Sequence, residues 1–227
     1  MQNVKAVFVS HEHSDHITGV PGLSKKYQLP VYITNSTLTA SGFQIEKKFV
    51  QSFYAHQQIK IGNLSVLAFP KLHDASDPHS FIISENNINV GVFTDIGSAC
   101  KDVIKYFKQC HAAFLESNYC EEMLANGRYP EFLKKRISGD NGHLSNAQAL
   151  ELFLKYRDKK LTHLILSHLS KNNNSTKLVK NIFEEHAGST QIIIAGRYKE
   201  TPVFCIDEMT QSPKRNKKKS EAQLSLF

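Results

Sequence analysis

Six consecutive residues, His11-Glu12-His13-Ser14-Asp15-His16, hold five side chains suited to metal binding or proton transfer, and with Ser10 before them they follow directly on the apolar run Val4-Lys5-Ala6-Val7-Phe8-Val9. A strand that ends on such a cluster must present it at a sheet edge, because packing gives His, Asp and Glu no reason to crowd there. If the chain leaves the strand extended, side chains two apart point the same way, so His11 and His13 can grip one cation. After a turn, Asp15 and His16 can face a second. Imidazoles mixed with a carboxylate suit Zn²⁺ or Mn²⁺ and usually leave one position open for water.

Three more residues of the same kinds close apolar runs elsewhere. His73 follows the run 64–69, Asp95 follows 88–94 and His168 follows 161–167. Each stands at the same end of an expected strand, where active-site groups are commonly displayed. Further strands are expected at 31–34, 80–84, 112–116, 191–195 and 202–206, from their short β-branched runs. Helical periodicity falls at 98–109, 130–137, 145–156 and 176–186, with Ser145 and Thr176 as N-caps and Pro130 at a first helical position. Asn86 and Asn87 tolerate positive φ and mark a hairpin turn. The pattern is mixed α/β with layered sheets, one domain over residues 1–210.

The chain has 227 residues, 41% of them hydrophobic, enough to bury one substantial core. No run approaches the ~18 apolar residues of a membrane helix, and the N-terminus lacks the sections of a secretory signal, so a soluble, cytoplasmic protein is expected, with no membrane partner. Its four cysteines form no CxxC pair, which argues against a zinc ribbon or a disulfide framework. Of the net charge of +7, five cations and one anion fall between Pro213 and Phe227. The basicity is therefore mostly a property of the stretch 211–227, expected to be a flexible tail.

Taken in order, His11-x-His13-x-Asp15-His16, His73, Asp95 and His168 resemble the metallo-β-lactamase superfamily. The resemblance implies an αββα sandwich, two mixed sheets flanked by helices, with two divalent metal ions, Zn or Mn, held between the sheet edges. It implies His11, His13 and His73 on the first ion, Asp15, His16 and His168 on the second, and Asp95 bridging. Members of this family begin with additional strands, whereas this chain reaches its first strand after three residues, so an N-terminally shortened sandwich is expected.

The segments 115–119, 142–149 and 166–174, with His73-Asp74-Ala75 and Tyr129-Pro130, look like the YycJ/WalJ group, described as 5′-to-3′ exonucleases acting on duplex DNA. The segment at 142–149 is also similar to ribonuclease Z, where a Glu-paired His protonates the leaving oxygen. By that likeness Glu116 orients His143, and Asp15, Glu116 and His143 carry the catalysis. Lys171 is a candidate for a non-bridging phosphate oxygen, although a lysine after a strand is more often only a solvated charge. Asn172 departs from the Glu that resembling sequences carry there.

The last five residues, Gln223-Leu224-Ser225-Leu226-Phe227, resemble the peptide by which bacterial polymerases and repair enzymes bind the sliding clamp. In that likeness Gln223 anchors, and Leu224, Leu226 and Phe227 belong to the docking peptide, the last two filling an apolar pocket. Together these features point to a dinuclear-metal phosphodiesterase, a DNA exonuclease of repair or replication recruited by the clamp. The competing readings are another hydrolase on the same centre, acting on RNA, a cyclic phosphodiester, a thioester or a lactam, and a non-catalytic clamp-binding module.

Overall fold

A computed structural model of the chain describes residues 3–206. Every apolar run expected as a strand between Val31 and Ala195 contributes one. The chain opens with β1 (Val7–Phe8), α1 (Ser14–Ile17), α2 (Val20–Tyr27), β2 (Val31–Tyr32), α3 (Asn35–Ser41) and β3 (Val50–Gln51). A longer series follows: β4 (Gln58–Ile61), β5 (Leu64–Pro70), β6 (His79–Glu85), β7 (Ile88–Phe93), α4 (Lys101–Phe107) and β8 (Ala112–Glu116). The described part closes with α5 (Glu121–Asn126), α6 (Glu131–Ser138), α7 (Asn146–Tyr156), β9 (His163–Ser167), α8 (Thr176–Glu184) and β10 (Gln191–Ile194).

These strands form two sheets, one of three strands in the order β1-β2-β3 and one of seven in the order β10-β9-β8-β7-β6-β5-β4. The larger sheet is mixed: β4 to β7 pair antiparallel and β7 to β10 parallel. The smaller sheet is purely parallel rather than mixed, with two residues paired per strand.

Alternation along the strands explains the layers. In β5, Phe69 enters the main core beneath α4, α7 and α8, while Val66 and Ala68 face the small sheet. Phe8 of β1 stacks on Tyr32 of β2 at 4.5 Å and meets Phe81 of β6 edge-on at 5.7 Å, which locks the sheets together. On the outer side, Ile17 and Val20 pack on Val9, Val31 and Ile33. The layers are thus helix, sheet, sheet, helix, the αββα order.

Several details differ from the sequence reading. Residues 202–206 form no strand: Pro202 lacks an N–H for a ladder, and Phe204 and Ile206 lie on the sheet face against Ala112, Ile165 and Ile193. Ser175, extended at φ −142°, caps α8 in place of Thr176, which is its first helical residue. Pro130 is the N-cap of α6, its ψ of 152° keeping it out of the helix. Ser145 caps α7 as expected, in a full capping box with Gln148. Asn86 and Asn87, at φ 46° and 65°, make the expected hairpin turn.

No helix among the described residues is long and apolar enough to cross a membrane. The boundary at 210, the basic stretch 211–227, and Gln223, Leu224, Leu226 and Phe227 lie outside the described residues.

Candidate metal centre and active site

β5, β7, β8 and β9 run in one direction, so their C-terminal ends share an edge of the large sheet. His73, Asp95, Glu116 and His168 stand at those ends. The His11–His16 loop arrives from β1, stitched to the same edge by the His79 N–H donating to Ser10 O at 2.9 Å. His11 precedes α1 and His13 is its extended N-cap, at ψ 144°; α1 itself carries Asp15 and His16. Glu12 plays a different part from its neighbours: its Oε1 accepts from Ser76 N at 2.7 Å and ties the loop down.

All seven ligand candidates meet. His11 Nε2 and His73 Nε2 come within 3.0 and 3.3 Å of His13 Nδ1. Asp95 Oδ2 lies 3.3 Å from His16 Nε2, and its Oδ1 lies 3.4 Å from His168 Nε2 and 3.9 Å from His73 Nε2. Asp15, on the exposed side, reaches His16 Nε2 at 3.6 Å. His11, His13 and His73 thus form one group of converging donors, Asp15, His16 and His168 another, and His16 with Asp95 adjoins His11.

The donor chemistry fits cations. His73 Nδ1 donates to Gly142 O at 2.9 Å and His13 Nε2 to Asp74 O at 3.1 Å, which fixes the tautomers by their partners. The lone pairs of His13 Nδ1 and His73 Nε2 then face each other with no proton between them, an arrangement that a shared cation relieves. Asp95 Oδ2 is buried without a hydrogen-bond partner, and an orphaned buried carboxylate oxygen is what a metal would satisfy. Burial lowers the pKa of His11 to about 2 and of His73 to about 4, aided by Lys71, so both stay neutral at pH 7, the ligating form. For Asp95, burial acts upward but His16, His168 and Lys71 outweigh it, and the carboxyl stays ionised well below the usual range.

Strain marks the same residues. Asp95 and His168 adopt left-handed backbone, with φ of 55° and 57°. For a non-glycine residue this costs ~1–3 kcal/mol, and such strain concentrates at functional sites.

Behind these ligand candidates sits Glu116, fully buried. Its Oε1 accepts from His143 Nδ1 at 2.8 Å and from His168 Nδ1 at 2.7 Å. Oε2 accepts the backbone N–H groups of Ile96 at 2.8 Å and Leu144 at 3.3 Å. The expected pairing with His143 is present, and the same carboxylate also orients His168, which no spacing in the chain signals. Burial acts upward on Glu116, but the two imidazoles outweigh it and bring its pKa down to about 2. Burial acts downward on His168, yet Glu116 and Asp95 raise it to about 9, so cation binding there displaces a proton. His143 packs between His73 and His168, with ring centroids at 5.1 and 5.4 Å. Lys171 is exposed on the rim of the cleft in front of them.

Two contributors escaped the sequence reading. Lys71 is 5% exposed, donates Nζ to Thr94 O at 2.7 Å and places a cation beside Asp95 and Glu116; burial lowers its pKa to about 8. The period-two alternation that buries Phe69 could have found it. Gly142 supplies the carbonyl that orients His73, and a Cβ there would lie 2.2 Å from Ile137 O and 2.3 Å from Arg136 O. Gly142→Ala is therefore expected to destabilise by about 1–3 kcal/mol, lowering the melting temperature by roughly 2–12 °C and weakening metal retention. Thermal unfolding beside elemental analysis checks this; unchanged values would mean that the 139–143 loop yields freely. His79 packs on Phe53 between the sheets, and its Nδ1 donates to Asp77 O at 2.9 Å.

A family model described as "Beta-lactamase superfamily domain" matches residues 1–168. Exodeoxyribonuclease YycJ of Bacillus anthracis is 34% identical over 185 residues, covering 79% of this chain and 69% of that protein. Exodeoxyribonuclease WalJ of Streptococcus pneumoniae is 29% identical over 182 residues, covering 78% and 68%. Among solved structures, the metallo-β-lactamase fold protein YhfI of Bacillus subtilis superposes with a TM-score of 0.64 at 19% identity, over 86% of this chain and 76% of that one.

Proposed function

Because this chain belongs to the β-lactamase superfamily and is a metal-dependent hydrolase of its YycJ/WalJ type, we propose that it is a dinuclear phosphodiesterase degrading duplex DNA from 5′ to 3′. The observation that carries the reading is the His143–Glu116 pair, held at 2.8 Å beside seven converging metal-type donors. A thioester releases a thiolate that departs readily on its own, whereas a phosphodiester alkoxide needs a proton. His11, His13 and His73 would hold one ion, Asp15, His16 and His168 the other, and Asp95 would bridge them. Bound there, divalent ions supply Lewis-acid polarisation of the phosphoryl group and an acidified water. Glu116 holds His143 through Nδ1, leaving Nε2 to deliver a proton to the departing oxygen. Lys171 stands at the rim for a non-bridging oxygen. The names of YycJ and WalJ, exodeoxyribonucleases, support the substrate class.

We further assign Gln223, Leu224, Leu226 and Phe227 to the sliding clamp as partner, with a role in repair or replication in the cytoplasm. The basic spacer before them would raise the enzyme's local concentration on DNA.

The test uses metal-stripped protein, labelled duplex ends and added Mn²⁺ or Zn²⁺. Metal-dependent release of nucleotides from the 5′ end is expected. Equal turnover of RNA or of a thioester would overturn the DNA assignment. Deleting residues 223–227 should abolish capture by immobilised clamp and leave digestion of free duplex in place.

A further inference from the structure

The cleft in front of His143 and His168 holds about 750 Å³, within the ~300–1,000 Å³ usual for small-molecule sites. One wall is the proposed centre itself, through Asp15, His143 and His168. The remainder includes Tyr129, Arg197 and Tyr198, which neither the metal ligands nor the proton donor explains. Arg197 comes from the turn after β10, and its guanidinium donates to Leu169 O at 3.0 Å, one residue beyond His168. A permanent cation is thereby pinned beside the centre, with Lys171 as a second on the same cleft. Tyr129 is half-buried, and its hydroxyl accepts from Asn172 at 3.0 Å, which fixes it next to Lys171. Tyr198 is 80% exposed, a large aromatic ring left at the cleft mouth with little packing of its own. Asp15 is the only carboxylate among the lining residues.

Cations beside an aromatic ring match the two halves of a nucleotide. The anionic phosphate oxygens suit a guanidinium and an ammonium, and any base offers a face for stacking. We infer that this cleft seats the terminal nucleotide of the strand being degraded, its phosphate against Arg197 and Lys171 and its base on Tyr198, with Tyr129 in the wall beside them. The inference rests on the exonuclease reading and names the residues that would position its substrate. Stacking on tyrosine is indifferent to base identity, which is what removal of successive nucleotides requires.

Steady-state digestion of an end-labelled duplex by Tyr198→Ala, Tyr198→Phe and Arg197→Gln, with metal content measured in parallel, tests it. Tyr198→Ala should lower kcat/KM at least about fivefold, the low end of base–aromatic stacking, chiefly through KM, while Tyr198→Phe stays close to the parent. Arg197→Gln should raise KM and flatten the salt dependence by about one phosphate contact, a change of ~0.7–0.9 in the slope of log affinity against log salt. The Ala and Phe pair at Tyr198 keeps the test valid even if losing Arg197 shifts the Leu169 loop. Parental KM and salt slope in these variants, with duplex still digested, would overturn the inference alone. A parent chain that cleaves bis(p-nitrophenyl) phosphate but no duplex would overturn the exonuclease reading and the inference with it.

Discussion

Asp95→Asn should lower phosphodiester turnover by about 10³-fold or more, the equivalent of roughly 4 kcal/mol of lost transition-state stabilisation, and reduce the metal bound per chain. The carboxylate is 1% exposed and reaches toward both halves of the donor set, with Oδ1 near His73 and His168 and Oδ2 near His16. An amide keeps its volume but replaces one oxygen by a donor that cannot ligate. It also removes the anion that offsets Lys71. The fold should persist, because the amide keeps the side chain's shape and Lys71 keeps Thr94 O and Glu116 as partners. Elemental analysis of the purified variant beside its kcat decides the matter. Full metal content with kcat within tenfold of the parent would remove Asp95 from the centre.

The second large effect belongs to Glu116, where two substitutions should part company. Glu116→Ala strands the imidazoles of His143 and His168 and the N–H groups of Ile96 and Leu144 in a fully buried place. Breaking a buried charged network of this kind costs about 3–5 kcal/mol, a melting-temperature drop of roughly 6–20 °C for a chain of this size. Glu116→Gln preserves the shape but must turn its amide nitrogen toward one set of donors. It should fold, with metal affinity or activity down about 10–100-fold, the usual effect of a lost partner behind a ligand. Thermal melts with metal titration of both variants supply the check. If Glu116→Gln matched the parent in both, the carboxylate would be a packing residue only.

What could be read in advance follows from how densely the chain encodes each feature. His11, His13, Asp15 and His16 sit within six residues, and His73, Asp95 and His168 each follow an apolar run long enough to identify as a strand. Their convergence then follows from shared strand direction. β3 and β4 were not readable. The paired segment of β3 is only Val50–Gln51, too short for a period to accumulate, and β4 is a polar-alternating edge strand, Gln58-Ile59-Lys60-Ile61. Gly142 acts through one backbone carbonyl, which leaves no pattern in residue types, and Lys71 shows only in the alternation that continues from Phe69. Arg197 and Tyr198 lie in a turn whose value comes only from the loop it faces.

The donors His11, His13, Asp15 and His16 hang from a sheet with two paired residues per strand, and His73, Asp95 and His168 from a sheet of seven strands. An occupied centre would therefore work as a rivet driven through both plates of the sandwich. Loosening the thinner plate, for instance at the Phe8–Tyr32 stack, pulls four donors out of alignment without touching an ion. A survey that ranks residues by lost turnover will score such packing positions beside the true ligands, and only metal affinity measured together with fold stability will tell them apart.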